Sequence, residues 1–193
     1  MKSAEKHPLQ PFLPPEAGVL MLGSFPPDRK RWCMDFFYPN FINDMWRIFG
    51  YVFFRDKEHF IIPNQKKFDK ELLVEFLTSK GIALYDTAEE VVRLKENASD
   101  KFLEIVKPAD VAFLLGRLPS CRAIVTTGQK ATQTLSVMTG RTEPKTGEAV
   151  EFVFMGRRMR HYRMPSSSRA YPMSIEHKAA LYEKMFIEER LLP

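Results

Sequence analysis

Apolar residues along the chain fall into two patterns, short continuous blocks and stripes at helical spacing, and the two alternate. Val19 to Leu22 is a continuous block ended by Gly23, the pattern of a strand buried on both faces. "GIALYD", Gly81 to Asp86, and "RAIVTT", Arg122 to Thr127, repeat it. Between the first two blocks, Phe68, Leu72, Leu73, Phe76 and Leu77 lie on one helical stripe, with Gly81 as the stop. Asn43 to Phe49 and the stretch from Gly128 to Met138 also read as helices, and Asp86 with Glu89 has capping-box spacing, predicting a further helix after the second strand. "AVEFVFMGRRMRHYRMP" predicts a strand, a turn at Met155 and Gly156, and a returning strand. From Ser174, a capping residue, the spacing of Ile175, Ala179, Leu181, Tyr182, Met185 and Phe186 predicts a terminal helix.

Strands alternating with helices predict an α/β fold, a three-layer sandwich whose central, mainly parallel sheet is flanked by helices. Pro8, Pro11, Pro14 and Pro15 make residues 1–18 an extended lead-in, and residues 19–193 are expected to form a single α/β domain.

Charge narrows the partner. A formal charge of +5 and a pI near 9.2 favour a polyanion through long-range attraction. Cys33 and Cys121 are too few for a four-thiolate cluster, and no Cys/His spacing forms a zinc site, so neither metal nor cofactor is expected. A reduced, cytoplasmic protein is the simpler reading. No apolar run approaches the roughly 20 residues that span a bilayer. A monomer is expected.

Three loops carry candidate chemistry, all at predicted strand ends, where open α/β sheets bind ligands. They are Gly23-Ser24-Phe25-Pro26-Pro27, Asp86, and Met164-Pro165-Ser166-Ser167-Ser168-Arg169. Small residues let a ligand approach the backbone, prolines hold loop shape, and serine hydroxyls with backbone amides can bind phosphate oxygens. Taken alone, a serine-rich loop is a solvated turn.

In order and spacing, these segments resemble the uracil-DNA glycosylase superfamily, most closely its hypoxanthine-DNA (deoxyinosine) branch. The likeness runs through most of residues 19–185. Gly23 to Pro26 is similar to the family's Gly-Ser-x-Pro turn. "FYPNFINDMW" places Phe37 and Tyr38 on its aromatic pair, Asn43 on its asparagine and Trp46 on its tryptophan. "GIALYD" with Arg93 downstream resembles the next block, and "MPSSS" the Pro-Ser-containing DNA loop.

The resemblance implies a metal-free, monofunctional glycosylase that hydrolyses the N-glycosidic bond of a flipped, deaminated base in DNA. Asn43 would be catalytic. Gly23, Ser24, Phe25, Tyr38 and Asp86 would bind the base, and Ser166, Ser167, Ser168 and Arg169 the DNA.

Four positions depart from common patterns. Phe25 stands where many superfamily members place a water-activating Asp or Asn, although the hypoxanthine branch is also apolar there. Pro27 replaces a usual glycine, Met164 a histidine and Arg169 a proline. The fold without cleavage, as a nucleic-acid-binding module, and hydrolysis of free nucleosides therefore remain alternatives.

Plainer roles exist as well. Asn43 suits a helix N-cap, Asp86 a capping box and Tyr38 core packing. Arg157, Arg158, Arg160, His161 and Arg163 read as a solvated edge strand, and His7, His59 and His177 carry no site signal.

Overall fold

A computed structural model describes residues 3–94 and 102–193. The extended lead-in holds a two-residue strand, β1 (Glu5–Lys6). There follow β2 (Val19–Gly23), α1 (Met45–Phe54), α2 (Lys70–Lys80), β3 (Ile82–Asp86), β4 (Ala88–Arg93) and β5 (Leu103–Pro108). The remainder forms α3 (Val111–Gly116), β6 (Ala123–Thr127), α4 (Gln129–Thr139), β7 (Ala149–Phe154), β8 (Arg157–Met164) and α5 (Ile175–Glu188).

The larger sheet has five strands in the order β3-β2-β6-β8-β7. Pairings β2 to β3, β2 to β6 and β6 to β8 are parallel, while β7 pairs antiparallel with β8. Every residue of β2, β3 and β6 is buried, which explains their continuous apolar runs. The expected sandwich with one mainly parallel sheet is corrected to a mixed α/β fold with two sheets and five α-helices among the described residues. The second sheet, β1-β4-β5, is wholly antiparallel.

From β2 the chain moves sideways to β3, and from β6 it moves the opposite way toward β8. Right-handed crossovers therefore carry α1 and α2 over one face and α4 over the other. This places the topological switch, and the ligand crevice it opens, between the ends of β2 and β6. On the first face α5 packs against α1.

Local chemistry sets the helix ends. Asp69 accepts the Leu72 N–H at 3.0 Å to start α2, and Gly81, at φ 66°, ends it in the left-handed region. Ser174 likewise caps α5.

Two expectations fail. No helix follows Asp86, because residues 88–93 pair as β4 with both β1 and β5, burying Ala88 and Val91 against Leu103. Nor is the arginine-rich strand an edge: β8 lies between β6 and β7, and β7 is the edge. Arg157, Arg160 and Arg163 of this strand make internal contacts, while Arg158 is exposed. Arg157 donates to the Leu118 carbonyl at 2.8 Å. Arg160 and Arg122 charge-pair with fully buried Glu189 at 2.8 and 3.0 Å, without well-aligned hydrogen bonds. Among the described residues, no helix is long and apolar enough to cross a membrane.

Candidate active site

Gly23, Asp86 and Thr127 end three adjacent strands, and their side-chain positions converge. Parallel register sets Gly23 beside Asp86. A Cβ built on Gly23 would lie 2.3 Å from Asp86 Oδ1 and 3.5 Å from Tyr38 Oη. The carboxylate and the phenol thus meet over the one residue that has no side chain to obstruct them. Tyr38 Oη also lies 3.1 Å from Thr127 Oγ1, spanning the crevice between β2 and β6. To reach it, Tyr38 adopts φ 48°, a left-handed conformation uncommon for a bulky residue and a form of strain concentrated at functional sites.

The loop from β2 to α1 is pinned at several points. Trp32 Nε1 donates to the Pro27 carbonyl at 2.7 Å, and Trp46 Nε1 to the Phe37 carbonyl at 3.1 Å. Trp46 meets Tyr38 edge to face at 5.7 Å, tying the phenol to α1. Arg93 donates to the Pro26 carbonyl and lies 5.5 Å above the Phe25 ring. Ser24 is buried in this turn. Phe25 packs with Ala88, Val91 and Leu103 in a small cluster beneath the antiparallel sheet, placing its ring in that core.

Asn43 is half-buried two residues before the start of α1, next to the N-cap Asp44. Its Oδ1 accepts the Met45 N–H at 2.9 Å, which identifies the oxygen of the amide. One acceptor lone pair is thereby committed, whereas Nδ2 donates to no partner among the described residues. Asp44, not Asn43, is the N-cap of α1, so the expected N-cap role moves by one residue; Asn43 holds the first helical N–H from the position before the cap and also retains a free donor.

The next residue joins α1 to the serine loop. Asp44 N–H donates to the Ser167 carbonyl at 3.0 Å, while Arg169 Nε donates to Asp44 Oδ1 at 2.9 Å. Lys178, almost wholly buried on α5, donates to the Ser168 carbonyl at 2.7 Å. Burial pulls its ammonium below the usual lysine range, an effect the Asp44 charge opposes. Ser166 Oγ accepts the Ser168 N–H at 3.2 Å, and Ser168 Oγ the Ala170 N–H at 3.2 Å. Met164 is buried at the end of β8, its carbonyl accepting the Gly128 N–H at 3.0 Å.

Asp86 is not a helix cap. Its Oδ2 meets His7 Nε2 at 2.8 Å, and the His7 ring is wedged among Phe25, Phe37 and Tyr85 at 5.2, 6.2 and 4.7 Å. Burial, reinforced by the Glu89 and Asp86 charges, pushes the Tyr85 phenol up to about 12, so it remains protonated.

The structure thus gathers Gly23, Tyr38 and Asp86 at one point and couples Asn43 to Ser166, Ser167, Ser168 and Arg169 through Asp44. Sequence reading missed Thr127, His7, Asp44 and Lys178. Thr127 was accessible, since it ends a recognised strand. His7 was not, because its partner is 79 positions away.

No family model and no curated protein matches the chain. Among solved structures, it is similar to the solution NMR structure of a "putative Uracil DNA glycosylase" from Methanosarcina acetivorans. Identity is 23% and the TM-score 0.64, with 94% of this chain and 98% of the other covered. The two share a fold.

Proposed function

We propose that this protein is a monofunctional DNA glycosylase that excises a deaminated base, hypoxanthine or uracil, from DNA. The convergence of Asp86, Gly23 and Tyr38 at the switch of the parallel strands carries the reading: an acceptor, an open floor and an aromatic hydroxyl meet in one crevice. A flipped base needs such a slot, because its edge must be read and its face covered after it leaves the stack, at a cost of about a few kcal/mol.

Asn43 is the catalytic residue in this reading. Its committed oxygen leaves Nδ2 as the group best placed for chemistry, which favours donation to the departing base. As the bond from C1′ to the base nitrogen breaks, the electron pair leaves with the base, and the sugar develops positive charge that water quenches with loss of a proton. The donor stabilises the base anion. No covalent enzyme intermediate or metal is required.

Gly23, Ser24 and Phe25 shape the base slot, with Phe25 acting through packing of the turn. Ser166, Ser167, Ser168 and Arg169 present hydroxyls, amides and charge to phosphates. The finer assignment to deaminated bases draws on the likeness of the motifs to the hypoxanthine branch. The hydrogen bond from Met45 to Asn43 favours a second reading, a DNA-binding module of the same fold without cleavage.

The test is a panel of matched oligonucleotides carrying hypoxanthine, uracil, xanthine or a thymine mismatch, single- and double-stranded, with alkali used to reveal abasic sites. Free deoxyinosine and deoxyuridine run in parallel. Alkali-labile, otherwise unnicked product from hypoxanthine or uracil DNA is expected. Binding without product supports the second reading, and cleavage of free nucleosides alone overturns both.

A further inference from the structure

His7 comes from the lead-in, outside every recognised motif, yet its side chain is 2% exposed and bonded to the base-slot carboxylate. Pairing of Lys6 with Glu90 delivers it there. Its ring packs between Phe25 and Tyr85, and the neighbouring Leu9 backbone lies near its other nitrogen. The Leu9 N–H is 3.1 Å and the Leu9 carbonyl 2.9 Å from Nδ1. With Nε2 donating to Asp86, Nδ1 is the ring nitrogen that faces the Leu9 backbone and accepts its N–H.

We propose, building on the glycosylase reading, that His7 is a positioning residue that fixes Asp86 as an acceptor-only reader of a ring N–H on the flipped base. The His7 bond occupies Oδ2, and Oδ1 lies over Gly23, accepting no hydrogen bond from the described residues. Hypoxanthine and uracil each carry a ring N–H beside a carbonyl. Adenine and cytosine present a lone pair at the corresponding nitrogen, which an ionised carboxylate repels. A fixed Asp86 therefore separates each deaminated base from its parent. Guanine and xanthine both carry the N–H, so this contact does not discriminate between them.

The test uses the full chain and duplexes carrying deoxyinosine, deoxyadenosine, deoxyuridine or deoxycytidine at one site. Single-turnover cleavage, DNA affinity and thermal unfolding are compared for the parent, His7→Gln, His7→Leu and Asp86→Asn. Gln retains an N–H donor, whereas Leu retains only bulk. We expect His7→Leu to slow inosine cleavage about 10²-fold with unchanged DNA affinity, the scale of losing one preorganised donor. His7→Gln should recover about tenfold or more of that loss at a matched unfolding temperature. Asp86→Asn can also donate, and should narrow the preference for inosine over adenosine by about tenfold or more.

A purely structural His7 predicts equal losses for Gln and Leu that follow stability, and that result overturns the inference. Parent-like cleavage by folded His7→Leu, or an unchanged base preference in active Asp86→Asn, also overturns it while leaving the glycosylase reading intact. If His7→Leu does not fold, the Asp86→Asn preference decides. A parent that cleaves none of the four duplexes overturns both.

Discussion

Arg169 Nε donates to Asp44 Oδ1 at 2.9 Å, binding the serine loop to the N-cap of α1 across 125 positions of sequence. Asp44 lies one residue after Asn43, so the loop assigned to DNA and the amide assigned to catalysis share one support. Asp44 is also 3.7 Å from Arg47, and its backbone N–H is held by the Ser167 carbonyl. In the proposed reading, DNA held by the loop would act on the amide through this support.

This support gives the first prediction. Arg169 is half exposed, so Arg169→Ala should cost at most about 1 kcal/mol of stability. It should nevertheless weaken DNA binding and make the log–log salt slope shallower by about 0.9 if it neutralises one duplex phosphate. Salt titrations of the parent, Arg169→Ala and Ser166→Ala measure this, and unchanged affinity and slope in both variants would remove the loop from the interface.

The second concerns space. Gly23 is not in the left-handed region, so alanine meets no backbone strain there. Its Cβ would nonetheless lie 2.3 Å from Asp86 Oδ1. Gly23→Ala should displace the carboxylate and reduce cleavage by about 10²-fold or more, with DNA affinity preserved. Parent-like cleavage by this variant would place the base elsewhere.

The third concerns pH. His161 is buried, with Nε2 2.9 Å from Thr126 Oγ1, and burial lowers its pKa from 6.5 to about 4. The folded state therefore disfavours the charged ring, and between these values the unfolded chain binds more protons. Stability is full above pH 6.5 and falls as the pH drops toward 4, by at most about 1.4 kcal/mol per unit from this group. Denaturant unfolding of His161→Gln across this window should give a shallower slope than the parent. An identical slope would show that His161 does not titrate on unfolding.

These contacts explain which features were legible in the sequence. β2, β3 and β6 are buried on both faces, so they appear as unbroken apolar runs, and the helices between them show their stripes. β4 and β5 were hidden because Glu89, Glu90, Glu104 and Lys107 interrupt them, leaving Ala88, Val91 and Leu103 as sparse inward positions. Without that pairing, Asp86 and Glu89 looked like a capping box. The same non-local pairing carries His7 to Asp86, which no local pattern records.

The candidate site divides along the same line. Gly23, Tyr38, Asn43 and Asp86 stood out because turn chemistry or family spacing marks them. Asp44 and Lys178 did not, because their roles arise only when α1 and α5 meet the serine loop.

Asn43 provides the most direct test, since its oxygen holds the first N–H of α1 while its nitrogen is the proposed donor. Serine can replace that acceptor but not the amide, whereas alanine replaces neither and should cost about 0.5–2 kcal/mol of stability. Asp also accepts, but it loses the donor and places a negative charge beside the departing anion. The measurement is single-turnover cleavage by Asn43→Ser, beside its thermal unfolding and DNA affinity, on the base the parent cuts best. The account predicts a folded, DNA-binding protein whose cleavage falls about 10²–10³-fold. Near-parent cleavage by folded Asn43→Ser would contradict it and leave Asn43 as a support of the helix start.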